Sequence, residues 1–171
     1  RADSEAAGRL RMAYVDALFP DDARRFFHTA CGANRWVDAM VSGRPYGTVD
    51  GLLDSAQRVF DHLSEADWLA AFASHPRIGE KGDAVASKEQ FGASSATREV
   101  IRRLADVNRE YEDRFGFIYI VFASGKTAEE MLAIAEKRLG NSREEEVATA
   151  AAEQQKITMR RLRRMTCQET G

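Results

Sequence analysis

Apolar residues return at intervals of three and four along most of the chain, the spacing that lays one face of an α-helix against a core. Between Ser94 and Arg114, Val100, Leu104, Val107 and Tyr111 fall on one such stripe. The same pattern predicts helices over Glu5 to Leu18, Asp21 to Cys31, Arg35 to Val41, Thr48 to Leu63 and Glu65 to Ala73. Pro20 and Pro45 stand between these segments, where helix breakers belong. Thr127 followed by Glu130 has the spacing of a capping box, and Gly140 supplies a stop. Asn141 with Glu144 is a looser form of the same start signal. The helix it opens carries Glu144, Glu145 and Glu146 in its first turns and Arg160, Arg161, Arg163 and Arg164 towards its end, an order that suits the helix dipole.

One stretch departs from this pattern. Phe117-Ile118-Tyr119-Ile120-Val121-Phe122 is β-branched and aromatic and would pass for a buried strand. A strand needs a partner, and no second convincing one is present. The expectation is therefore an all-α fold: a single-domain helical bundle over residues 1–171, with one buried extended segment near residues 117–123. The backbone polar groups of that segment must find partners in helices, water or a ligand.

Composition narrows the function. A net charge of -2 creates no field that would gather nucleic acid or an anionic membrane, so neither is expected as a partner. No apolar run approaches the length of a membrane span, and the N-terminal residues lack the apolar core of a signal peptide. The two cysteines, Cys31 and Cys167, are far apart and lack metal-type spacing, so no metal site is expected and a reducing, cytoplasmic location is. Gly125-Lys126-Thr127 imitates the end of a phosphate-binding loop, but the upstream glycine that such a loop requires would fall at Ile120.

Three histidines occur, and His28 and His62 lie in helical patterns that suit surface or packing roles. His75 is different. It sits between helical patterns and precedes Pro76, which biases its backbone towards extended conformations and helps to aim the ring. A histidine titrates near neutrality and so can exchange a proton, although the plainest role for a loop histidine is a hydrogen bond to backbone. Glu89 offers a base or a hydroxyl acceptor, against the default of a solvated carboxylate. Gln90 offers a donor and an acceptor, as a urea-like edge would require. In the last helix, Val147, Ala150, Gln154, Ile157, Arg161 and Met165 recur at helical spacing, which places the Arg161 guanidinium on the predicted buried stripe. A charge there calls for a partner: a structural carboxylate, or an anionic or carbonyl-rich ligand.

Taken in order, Arg35-Trp36, Arg44-Pro45-Tyr46, Asp67-Trp68-Leu69, His75-Pro76-Arg77-Ile78-Gly79-Glu80, Glu89-Gln90, Arg114-Phe115-Gly116-Phe117 and Lys156-Ile157 with Arg161-Leu162 span nearly the whole chain. In this series the chain resembles the 2-oxo-4-hydroxy-4-carboxy-5-ureidoimidazoline (OHCU) decarboxylase family. The resemblance implies an all-helical, cofactor-independent homodimer that converts OHCU to (S)-allantoin and CO2 in urate degradation. It implies that His75 is the catalytic proton donor, with Glu89 also catalytic. Pro76, Ser87, Gln90 and Arg161 would contact substrate, together with the segment Tyr119, Ile120, Val121, Phe122 and Ala123. Ala86 departs from relatives that carry a serine there, and Ser87 stands beside it. Two other readings fit the residues. One is a hydrolase of another ureido or purine-derived compound on the same scaffold, and the other is a helical interaction module. An enzyme predicts His75, Glu89 and Arg161 around one pocket; a module predicts that they lie apart.

Overall fold

Eight α-helices form among the described residues, 2–78 and 97–166, of the computed structural model. They are α1 (Ala2–Ala17), α2 (Pro20–Ala30), α3 (Asn34–Ser42), α4 (Val49–Asp61), α5 (Glu65–Ala73), α6 (Arg98–Phe115), α7 (Ala128–Arg138) and α8 (Arg143–Thr166). The all-α expectation holds, and the helix ends fall close to those that the sequence predicts. Pro20 sits in the first turn of α2, where its missing N–H is no loss, rather than before the helix. The chain divides into two compact units: residues 1–71 with 155–171, and residues 72–154.

In the first unit, α2 packs on α3, α3 on α4, and α1 on α4. Met12, Phe27, Trp36, Met40, Leu52 and Phe60 form its buried interior. Its buried polar atoms are matched mostly to backbone carbonyls. Trp36 Nε1 donates to Ala56 O at 3.1 Å, and Trp68 Nε1 donates to Phe60 O at 3.1 Å. Tyr46 Oη donates to Met40 O at 2.6 Å. The Arg44 guanidinium closes the C-terminal end of α1 through Val15 O at 3.0 Å and Leu18 O at 2.8 Å, satisfying carbonyls that a helix end leaves open. Asp16 returns the favour by accepting from the backbone N–H groups of Tyr46 and Gly47, each at 2.9 Å. Most of the Arg-Trp, Arg-Pro-Tyr and Asp-Trp motif residues are thus employed in architecture.

In the second unit α6 packs on α7. Gly116 ends α6 in the left-handed conformation, φ +81°, with its N–H on Glu112 O; a side chain at this φ would strain the turn. The turn releases the chain into the extended segment, where Phe117, Tyr119, Ile120 and Val121 are buried and Ile118, Phe122 and Ala123 are half-buried. Tyr111 gathers the rings of Phe115, Phe117 and Tyr119 around it at centroid distances of 4.6, 5.8 and 5.5 Å. No strand occurs among the described residues. The segment's carbonyls are met by side chains instead: Arg138 Nη1 donates to Ile120 O at 2.7 Å, and Lys126 Nζ donates to Phe122 O at 2.7 Å.

Two start signals compete ahead of α8, and Ser142 with Glu145, not Asn141 with Glu144, forms the cap. Gly140 and Asn141 are consumed in the exit from α7, their N–H groups bonding back to Lys137 O and Arg138 O. The cap therefore falls one residue later. Ser142 N donates to Glu145 Oε2 at 2.8 Å, and Glu145 N donates to Ser142 Oγ at 3.1 Å. Thr127 and Glu130 form the capping box that their spacing predicts. Along α8, the buried positions in the second unit are Glu146, Val147, Ala150, Ala151 and Gln154; those in the first are Thr158, Leu162 and Thr166. The predicted stripe is right as far as Gln154. Beyond it, Ile157, Arg161 and Met165 are half-buried at the stripe's edge, because a strict repeat of four carries the buried line onto Thr158 and Leu162.

Candidate active site

His75 lies two residues beyond the end of α5, in the second unit, with its N–H on Phe72 O at 3.1 Å. Its half-buried ring reaches α8, where Nε2 stands 2.6 Å from Oε1 of the fully buried Gln154. The loop that carries it is fixed from α6. Arg77 makes a two-pronged contact with Glu112, Nε to Oε2 at 2.8 Å and Nη2 to Oε1 at 2.7 Å, and Asn108 Nδ2 donates to Ile78 O. The Arg77 hydrogen bond holds the Glu112 carboxyl below its ordinary value, outweighing the small opposing effect of burial. Pro76 is exposed. The ring is therefore held from α8 by Gln154, and the loop that carries it is held from α6 by Glu112 and Asn108.

The extended segment rests on a buried charged cluster that spacing alone does not disclose. Arg138 is 5% exposed and Glu146 is 0% exposed, so each needs the other. Arg138 Nε donates to Glu146 Oε2 at 2.8 Å, and Asn141 Nδ2 donates to Glu146 Oε1 at 2.9 Å. Tyr111 Oη donates to the same carboxylate and accepts from Arg138 Nη2. The Arg138 guanidinium also lies over the Tyr119 ring, 5.0 Å from its centroid. Burial opposes the Arg138 charge, but the Glu146 bond and charge prevail and raise its pKa. Burial likewise pushes the Tyr111 and Tyr119 hydroxyls upward, so both keep their protons. One cation thereby fixes the carbonyl of Ile120 and one face of the ring of Tyr119. By sequence Glu146 is one of the first-turn acids of α8; its only clue to a buried role is its place eight residues after Arg138, across the Gly140 turn.

Arg161 belongs to the first unit. Its Nη1 reaches Thr29 O and Ala30 O, each at 3.5 Å, and it makes no ion pair among the described residues. Burial pushes its pKa down, opposed by the nearby Cys31. The structural carboxylate weighed for it is thus not found among the described residues. Cys31 is a buried free thiol, itself raised by desolvation. Of the neighbouring arginines, Arg163 and Arg164 are exposed, while Arg160 is half-buried. His28 and His62 are exposed, and His62 Nδ1 bonds to Arg58 O at 2.7 Å. Ser87, Glu89 and Gln90 lie outside the described residues.

The described residues thus form an all-helical chain in which one loop histidine is fixed by a buried glutamine and one extended segment is supported by a buried ion pair. The family model described as OHCU decarboxylase matches residues 16–163, and the chain belongs to that family. It is 29% identical to the uric acid degradation bifunctional protein TTL of Arabidopsis thaliana over 79% of this chain and 44% of that protein. It is 28% identical to the 2-oxo-4-hydroxy-4-carboxy-5-ureidoimidazoline decarboxylase of Haloferax volcanii over 90% of this chain and 94% of that one. The chain thus spans less than half of the bifunctional relatives, 44% of the plant protein and 30% of one from a Bacillus species. Among solved structures, OHCU decarboxylase crystallised in the presence of (S)-allantoin superposes with a TM-score of 0.75 at 30% identity, covering 82% of this chain and 96% of that one. An (S)-allantoin synthase shares the fold, with a TM-score of 0.68 at 17% identity over 90% of this chain and 53% of that one.

Proposed function

We propose that this chain decarboxylates OHCU to (S)-allantoin and CO2. The observation that carries the reading is the family match across residues 16–163, which contains a histidine braced on both sides. The substrate supplies its own electron sink. When the bond between the ring carbon and its carboxylate breaks, the electron pair forms a C=C bond to the adjoining imine carbon, the C=N pair moves onto the imine nitrogen, and that nitrogen takes a proton, leaving an enol. Loss of the hydroxyl proton restores a carbonyl, and a proton delivered to one face of the former imine carbon sets the configuration. The protein's work is orientation, charge stabilisation and that delivery.

In this reading His75 gives the proton and Glu89 holds the hydroxyl. Arg161 grips the ring or ureido carbonyls, a role suited to a half-buried guanidinium with no ion pair among the described residues. Pro76, Ser87 and Gln90 line the substrate. Backbone groups from Tyr119 to Ala123 meet it too, on a segment that Arg138 stiffens at Ile120. The protein acts as a homodimer, a reading supported by the exposed Leu10, Tyr14 and Phe19, at 75%, 67% and 79% exposure. Sedimentation would check it, a monomer at working concentration contradicting the dimer. We place it in the cytoplasm; no described helix is long and apolar enough to cross a membrane.

The test is direct. Freshly generated OHCU is supplied to the purified chain while CO2 release and the circular dichroism of the product are followed. The reading expects CO2 with a growing (S)-allantoin signal. Release no faster than in buffer, or a racemic product, contradicts it.

A further inference from the structure

We propose that Gln154 is a positioning residue that fixes which nitrogen of His75 exchanges the catalytic proton. The proposal deepens the reading above and rests on His75 being the proton donor.

Gln154 is fully buried, on the line of α8 that also carries Glu146 and Ala150. A glutamine in a buried line must direct its amide at something, since an unmet buried amide is costly. Its Oε1 is directed at His75 Nε2, 2.6 Å away. A carbonyl-type oxygen only accepts, so Nε2 carries the hydrogen in the neutral ring and keeps it in the protonated ring. Proton exchange with substrate is thereby assigned to Nδ1. The choice of an amide matters. A carboxylate at this position would hold the imidazolium through its charge, whereas an amide aligns the ring and sets its tautomer without adding a negative charge. The donor then gives up its proton more readily while keeping one orientation.

The proposal is tested in two ways. In protein labelled with 15N-histidine, the His75 ring signals are assigned by their loss in His75→Asn. The wild-type neutral ring is expected wholly as the Nε2–H tautomer, with a measurable share of the Nδ1–H form appearing in Gln154→Leu. An Nδ1–H ring in the wild type overturns the proposal, whatever the variants do. So does an unchanged tautomer in a folded Gln154→Leu or, should that variant fail to fold, in Gln154→Met.

Kinetically, Gln154→Leu is expected to lower kcat by about ten- to a hundredfold with KM nearly constant. Gln154→Glu is expected to restore ring alignment and to move the limb of the pH–rate profile that follows His75 to higher pH. A kcat unchanged in Gln154→Leu, or a pH profile unmoved in Gln154→Glu, contradicts the proposal. The labelled spectrum needs no substrate, so it separates failure of this inference from failure of the decarboxylase reading: an active His75→Asn would sink the latter and leave the tautomer measurement standing.

Discussion

In the unit formed by residues 1–71 and 155–171, the interior polar groups are mostly neutral donors set against carbonyls, Trp36 on Ala56 and Tyr46 on Met40 among them. In residues 72–154 a full cation and a full anion are buried together, Arg138 with Glu146, and Tyr111 and Asn141 complete their coordination. The first arrangement is modular, because each bond can be lost at its own modest cost. The second is all or nothing: half of a buried ion pair is worse than none. The charged arrangement is the one that supports the extended segment, where backbone lies outside both helix and sheet and needs side chains to meet its carbonyls.

The sharpest way to break this comparison is to halve the pair. Arg138→Met or Glu146→Leu should each cost about 3–5 kcal/mol, read from urea unfolding, and the double variant should recover much of that loss. Single costs below about 1 kcal/mol would show that the pair is not buried as a unit. In the first unit, Trp36→Phe keeps most of the packing and leaves Ala56 O without its donor, an expected loss of about 1–3 kcal/mol. Tyr46→Phe should cost less, about 0.5–1.5 kcal/mol, since the site is half-buried and water can replace the donor. Additivity of the Trp36 and Tyr46 losses, set against strong coupling of Arg138 and Glu146, would confirm the contrast.

The smallest effect concerns acid. The folded pKa of Glu112 is lowered from its ordinary 4.5 by the Arg77 bond, so the contribution of this pair is fully present above that ordinary value. It fades as pH falls through the lowered folded value. Because the contact is partly exposed, the effect is slight, and it should vanish in Arg77→Gln when unfolding is compared at pH 7 and in the acid range.

Periodicity made the helices legible, because each presents an apolar face that only one spacing can bury. The break at 117–122 was legible too, as was its need for backbone partners. What composition and spacing do not carry is which side chains meet those needs. Arg138 reads as a last-turn cation suited to the dipole of α7, and Glu146 as one of three first-turn acids of α8. Only the turn through Gly140 and Asn141 brings them together. The Arg161 prediction erred by one position for a related reason: on a long helix, stripes at spacings of three and of four diverge, and the neighbouring elements select between them. His75 reads from the sequence as a loop histidine and lies in a loop, whereas spacing puts Gln154 on a buried stripe and says nothing of its polar partner.

The most direct test of the account is the rate at which His75→Asn forms (S)-allantoin from freshly generated OHCU, measured beside the wild type by circular dichroism. The account predicts a fall of about a hundredfold or more in a variant that melts like the wild type. A near-wild-type rate with the same product configuration would contradict it.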